Sequence, residues 1–159
     1  MSITVAELVA LPHLGLEVVA GLAGLDREVG WAHVCELEDP QPWLEGGELL
    51  MTTGMAVPRE PGRQAAYLER LAACGVAGLA ISKDLCAPPL TPSFLRSAEK
   101  LGFPVVAVSI EVPFVAIARI VVYGEQRRII APARPADCRF RCAAGQHGAV
   151  RPARAVPPA

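Results

Sequence analysis

Apolar and polar positions along the chain switch between a helical and a strand period, and the switches mark the elements. In residues 4–11, Thr4 and Glu7 form a capping-box pattern ahead of Leu8 and Leu11, which predicts a short amphipathic helix closed by Pro12. A β-branched run at 16–20 predicts a strand, and Gly and Asp in 21–27 supply a turn before a second strand at 31–37. In that second run Trp31, His33, Cys35 and Leu37 share one face by period two, with Ala32, Val34 and Glu36 on the other.

Residues 38–47 carry Pro40, Pro42, Trp43 and the Gly46-Gly47 pair, which favour a turn-rich loop over a regular element. A buried strand follows at 48–52, ending at Thr53-Gly54. Ala65, Leu68, Leu71 and Ala72 then recur at helical spacing through 62–74, with Gly75 as the stop, and 76–81 is the next apolar strand. The best-punctuated helix is 91–101: Thr91 is the N-cap, Pro92 opens the first turn, Leu95, Ala98 and Leu101 lie near one stripe, and Gly102 ends it. A strand at 105–108 follows, and Pro113 starts a last helix running toward Arg128. Strand, helix, strand, helix, strand with short right-handed crossovers makes a small parallel sheet. The expected fold is therefore α/β, a small three-layer-like domain with a short, mainly parallel sheet flanked by helices over residues 2–125. From 126 to 159 the expectation is a helix end and then a disordered Arg, Pro and Ala tail without apolar periodicity.

Length and composition sharpen this reading. A chain of 159 residues supports one core that buries roughly two thirds of its unfolded surface. Its 52% apolar and 19% charged residues fit a folded domain, and with only 5% aromatic residues that core is built from Leu, Val, Ile and Ala. The net charge of −1 hides an asymmetry: the body is acidic, while five Arg and one Asp fall after residue 130. An acidic body without a clustered basic face, and helices without a set of exposed base-reading side chains, argue against nucleic-acid binding by this chain. The chain opens without a signal-peptide pattern, and the apolar stretch 103–124 is broken by Pro104, Glu111, Pro113 and Arg119, so a cytoplasmic protein without a membrane span is expected. Five irregularly spaced Cys then read as buried reduced thiols rather than a disulfide framework.

Ligands in open parallel sheets sit beyond the carboxyl ends of the strands. That rule selects Thr52, Thr53, Ser82, Lys83, Asp84, Ser109 and Glu111, a set of hydroxyls, one ammonium and two carboxylates able to hold a small polar molecule; the same residue types also cap strand ends for purely structural reasons. Glu36, Glu38, Asp39 and Trp43 offer a second wall, with Trp43 stacking on a flat heterocycle, or else form a solvated acidic loop anchored by a half-buried Trp. His33 and Cys35 point in parallel from one strand face and do not converge on a substrate atom, and no nucleophile elbow, Walker A or dinucleotide fingerprint occurs. Cys138, Cys142 and His147 lack a fourth partner for a closed zinc site. No catalytic residue, metal site or cofactor is expected.

The run ITVAELVALPHLGLEVVAGLAGLDREVGWAHVCELEDPQPWLEGGELLMTTG, continued by GVAGLAIS, LGFPVVAV and VPFVAIAR, resembles the amino-terminal domain of the purine catabolism regulator (PucR-like) family of bacterial transcription factors. The resemblance implies a small α/β sensory domain of a longer regulator whose relatives add a middle domain and a helix-turn-helix, with effector sensing tied to purine or other nitrogen-compound catabolism. After Tyr123 the chain departs from the expected helical continuation, which implies a truncated or frame-shifted product and carries no DNA-binding residue into it. Because Phe114, Val115, Ile117, Ile120, Val121 and Val122 exceed one narrow stripe, the last helix, Pro113 to Arg128, is the expected homodimer interface. Readings of other classes are a small enzyme relying on Lys83, Asp84 and Glu111, an enzyme's regulatory domain, and a protein-interaction module.

Overall fold

The structure is a computed structural model that describes residues 2–126. It begins with β1 (Ile3–Thr4) and α1 (Val5–Val9), joined by the expected capping box. The Glu7 N–H donates to Thr4 Oγ1 at 3.2 Å and the Thr4 N–H donates to Glu7 Oε2 at 2.7 Å, so two helix-start donors are satisfied reciprocally. Next come β2 (Leu16–Ala20), β3 (Glu28–Val29) and β4 (Trp31–Val34). β3 pairs with β1 in a two-residue antiparallel ladder too short to be seen as periodicity. The remaining elements are β5 (Glu48–Thr52), α2 (Pro61–Ala73), β6 (Gly78–Ser82), α3 (Pro92–Leu101), β7 (Val105–Val108) and α4 (Phe114–Gln126).

Five strands form one sheet in the order β2-β7-β6-β5-β4, with β4 to β7 parallel and β2 antiparallel on the β7 edge. Every residue of β5, β6 and β7 is buried, as expected of parallel strands covered on both faces. On one face Leu50, Leu79, Ile81 and Val105 meet Tyr67, Leu68 and Leu71 of α2, Phe94 and Ala98 of α3, and Phe103. On the other, Leu49, Met51, Ala80, Val106 and Val108 meet Val5 and Leu8 of α1 and Ile117 and Val121 of α4. The result is the three-layer α/β arrangement that the pattern predicted. At the β2 end Gly21 has φ +76°, and a Cβ there would lie 1.9 Å from the Phe103 carbonyl oxygen, so only glycine lets β2 enter beside the α3–β7 turn.

Several boundaries differ from the sequence reading. The strand expected at 31–37 stops at Val34: the Cys35 N–H still reaches the Met51 carbonyl at 3.0 Å, but the Glu36 carboxylate then takes the next donors of β5 and ends the ladder. β6 starts at Gly78 rather than Val76, whose N–H instead bonds the Leu71 carbonyl at the α2 exit. Among the described residues the cysteines are free but not uniformly buried: Cys35 is buried, Cys74 half-buried and Cys86 exposed. In α4, Ile117 and Val121 are buried, Phe114 and Ile120 pack partly buried on the sheet, and Val115 and Tyr123 are exposed. Among the described residues no helix is long and apolar enough to cross a membrane. The end of the last helix at Arg128, the tail 126–159 beyond its first residue, and Cys138, Cys142 and His147 lie outside the described residues.

Candidate functional site

The parallel register brings the carboxyl ends of β4 to β7 to one end of the sheet, with Val34 beside Met51, Thr52 beside Ile81 and Ser82 beside Val108. There several of the polar groups selected from sequence are held in hydrogen bonds. Glu36 accepts from the Thr52 hydroxyl at 2.6 Å and from the Thr53 N–H at 2.6 Å, and Thr52 Oγ1 in turn accepts from the Gly54 N–H at 3.0 Å. Lys83 donates to Glu17 of β2 at 2.9 Å. Ser109 Oγ accepts from the Glu111 N–H at 3.5 Å, Ser82 is buried, and Asp84 and Glu111 are exposed. The segment after β6 folds over these ends: the Cys86 N–H bonds the Thr53 carbonyl at 3.1 Å, and Ala87 packs so close to Gly54 that a Cβ on Gly54 would lie 2.2 Å from the Ala87 Cα.

Thr53 Oγ1, the Tyr67 hydroxyl and Arg70 Nε are buried without a hydrogen-bond partner among the described residues. Burial pushes the Tyr67 phenol well up, reinforced by Cys35 and Glu36 and opposed by Arg70. Of the expected second wall, only Glu36 takes part in this cluster. Glu38 instead forms an ion pair with Arg63 of α2, and Asp39 is exposed. Trp43, in a 3-10 turn over Gln41–Trp43, lies at the opposite end of the sheet.

Cavities open at two places along the sheet. One, of about 450 Å³, lies where the antiparallel β2 joins the parallel sheet, on the α2 and α3 face. Its walls are Val19 of β2, Ile81 of β6, Val105 to Ala107 of β7 and the segment 87–90, with the Glu17–Lys83 pair at its rim. Gln64 fixes that segment: its amide donates to the carbonyls of Pro58 at 3.0 Å and Pro89 at 3.3 Å and accepts from the Thr91 N–H at 2.7 Å and hydroxyl at 2.9 Å. Lys83 lines this cavity, and the carboxyl-end rule pointed to it; Val19 and the Pro88-Pro89-Leu90 wall were missed, because nothing in a local pattern says which edge an antiparallel strand will take.

The other cavity, of about 310 Å³, opens at the amino-terminal ends of β4 and β5 and is lined by Gly30, Trp31, His33, Trp43, Glu45, Gly46 and Glu48. A Glu opening a strand that is buried on both faces was the available sequence signal for it. Glu48 is 4% exposed, and its carboxylate accepts from the Glu45 N–H at 2.6 Å and the Gly46 N–H at 3.1 and 3.0 Å.

The described residues form a three-layer α/β domain with cavities at two places along its sheet. Sequence comparison places it: the chain belongs to the purine catabolism regulatory protein-like family, whose model matches residues 7–123. Over 119 residues it is 42% identical to the transcriptional activator PmfR of Paenarthrobacter nicotinovorans, an alignment covering 75% of this chain and 25% of that protein. The chain thus spans about a quarter of the length of the curated relative it matches. Family and relative are both regulators, and the described fold is a regulator domain of this family.

Proposed function

We propose that this is the sensory domain of a PucR-like transcriptional regulator and that it takes a small purine- or nitrogen-related effector in the cavity between β2, β7 and the segment 87–90. The observation that carries the reading is the cavity itself. Its volume of about 450 Å³ suits a small metabolite, its walls are apolar, and the Lys83 ammonium and Glu17 carboxylate stand at its rim to orient polar edges. The wall segment 87–90 is tied to α2 and α3 through Gln64 and Thr91, so an effector seated there holds β2, β6, β7 and both helices in one arrangement. Differential affinity for that arrangement is what shifts the regulator between states. Seen this way, Lys83 stands at the mouth of a sensor and is not half of an acid–base pair.

A thermal-shift panel of purines, ureides, amino acids and related nitrogen compounds tests this. A ligand present at a hundred times its dissociation constant raises stability by about 2.7 kcal/mol. Val19 is 40% exposed, so Val19→Trp can fill the cavity from the rim without disturbing the core, and it should abolish the shift. No shift across the panel, or a shift that Val19→Trp leaves intact, would refute the assignment.

A further inference from the structure

Both tryptophans of the chain line the cavity at the amino-terminal ends of β4 and β5, and both are spent on solvent: Trp31 is 56% and Trp43 63% exposed. Large indoles left outside the core contribute little to folding, and two of them bordering one concavity mark a recognition surface. The ionisable side chains of the same wall are two carboxylates and the His33 imidazole. Glu45 is exposed beside it, Glu48 is almost wholly buried in it, and no Lys or Arg takes part.

We propose that this cleft binds an organic cation of the alkylammonium class. An indole face attracts a cation through its quadrupole, most strongly where the ion is weakly hydrated and bulky enough to cover the ring. An anion is repelled by Glu45 and Glu48. A neutral heterocycle can stack on the rings but would take water from the carboxylates without giving a counter-charge in return. A hard divalent ion needs six or more oxygen ligands, whereas both oxygens of Glu48 already accept backbone N–H groups and Glu45 is the one other carboxylate among the lining residues. Gly46, at φ +96°, holds the loop conformation that aims its N–H at Glu48 and so keeps that carboxylate fixed on the wall. The site is separate from the cavity beside Lys83 and shares no residue with it.

Because Trp31 and Trp43 are the only tryptophans, intrinsic tryptophan fluorescence reports on this cleft alone. The probe is choline, titrated at constant chloride against its neutral carbon isostere 3,3-dimethylbutan-1-ol. A saturable fluorescence change with choline, at least about tenfold tighter than any response to the alcohol, is expected from a partly desolvated cation–π contact. Trp43→Leu and Glu45→Gln should each weaken choline binding while leaving the melting midpoint unchanged, since both side chains are exposed. An equal response to the neutral alcohol, no saturable change into the high millimolar range, or choline binding unaltered in both cleft variants overturns the proposal.

Discussion

The two ends of the central sheet have similar raw materials and opposite organisation. At the carboxyl ends of β4 to β7, Glu36, Thr52 and Thr53 are drawn into mutual hydrogen bonds and covered by the segment after β6, and Lys83 is paired with Glu17 in the open. At the amino-terminal ends, Trp31, Trp43 and Glu45 stay open to solvent around a cavity. Polar residues at strand ends are therefore not by themselves a site. Because β4, β5, β6 and β7 follow one another in order across the sheet, no strand-order reversal opens a crevice between their carboxyl ends. The break in the pattern is the antiparallel β2, and the larger cavity lies there.

If the carboxyl end is scaffold, the largest loss should come from disturbing its cap. Gly54 has φ +99°, and a Cβ would meet the backbone of Ala87 at 2.2 Å, so neither the dihedral nor the neighbour can accommodate a side chain. Gly54→Ala should destabilise the fold by about 3 kcal/mol or more, from combined backbone strain and overpacking. Chemical denaturation measures it. A loss under about 1 kcal/mol would mean that the segment at 87 yields easily and that the carboxyl end is not held shut by its cap.

Glu36→Ala should come next. It removes one acceptor from the Thr52 hydroxyl and one from the Thr53 N–H, both at 2.6 Å. Losing two partly buried bonds to a carboxylate costs about 2–3 kcal/mol, after discounting for exposure. An effector-like loss of ligand response without loss of stability would reverse the comparison and return Glu36 to the role of a ligand contact.

How much of this was legible follows from the range of the forces involved. The Thr4–Glu7 box, the Thr91 cap with its Phe94 N–H at 3.3 Å and the αL Gly102 stop are settled within a few residues, and all stand where the sequence puts them. The parallel order of β5, β6 and β7 follows from short helical crossovers. The β1–β3 ladder, the edge chosen by β2 and the return of Trp43 to the start of β4 depend on pairings far apart in the chain, which no local period encodes. Nor could the sequence show that Glu36 would spend itself on Thr52 and Thr53 while Trp43, seven residues on, would end at the other end of the sheet.

The smallest expected effect lies at the rim of the larger cavity, where the comparison is most finely balanced between scaffold and site. Glu17 raises the Lys83 ammonium above its ordinary value of 10.5, first through their hydrogen bond and then through charge. A raised folded-state pKa means that any stability from the pair is fully present below the unfolded value and fades as pH climbs through the folded one. Both side chains are largely solvated, at 44% and 68% exposure, so the contribution is screened. Lys83→Met should therefore shift the melting midpoint only slightly near neutral pH, and wild type and variant should converge above pH 10.5. Effector response should fall in the same variant, because the ammonium faces the cavity mouth rather than holding the fold. A large neutral-pH drop in midpoint with the response intact would assign Lys83 to the scaffold, alongside Glu36, and leave the cavity with apolar contacts alone.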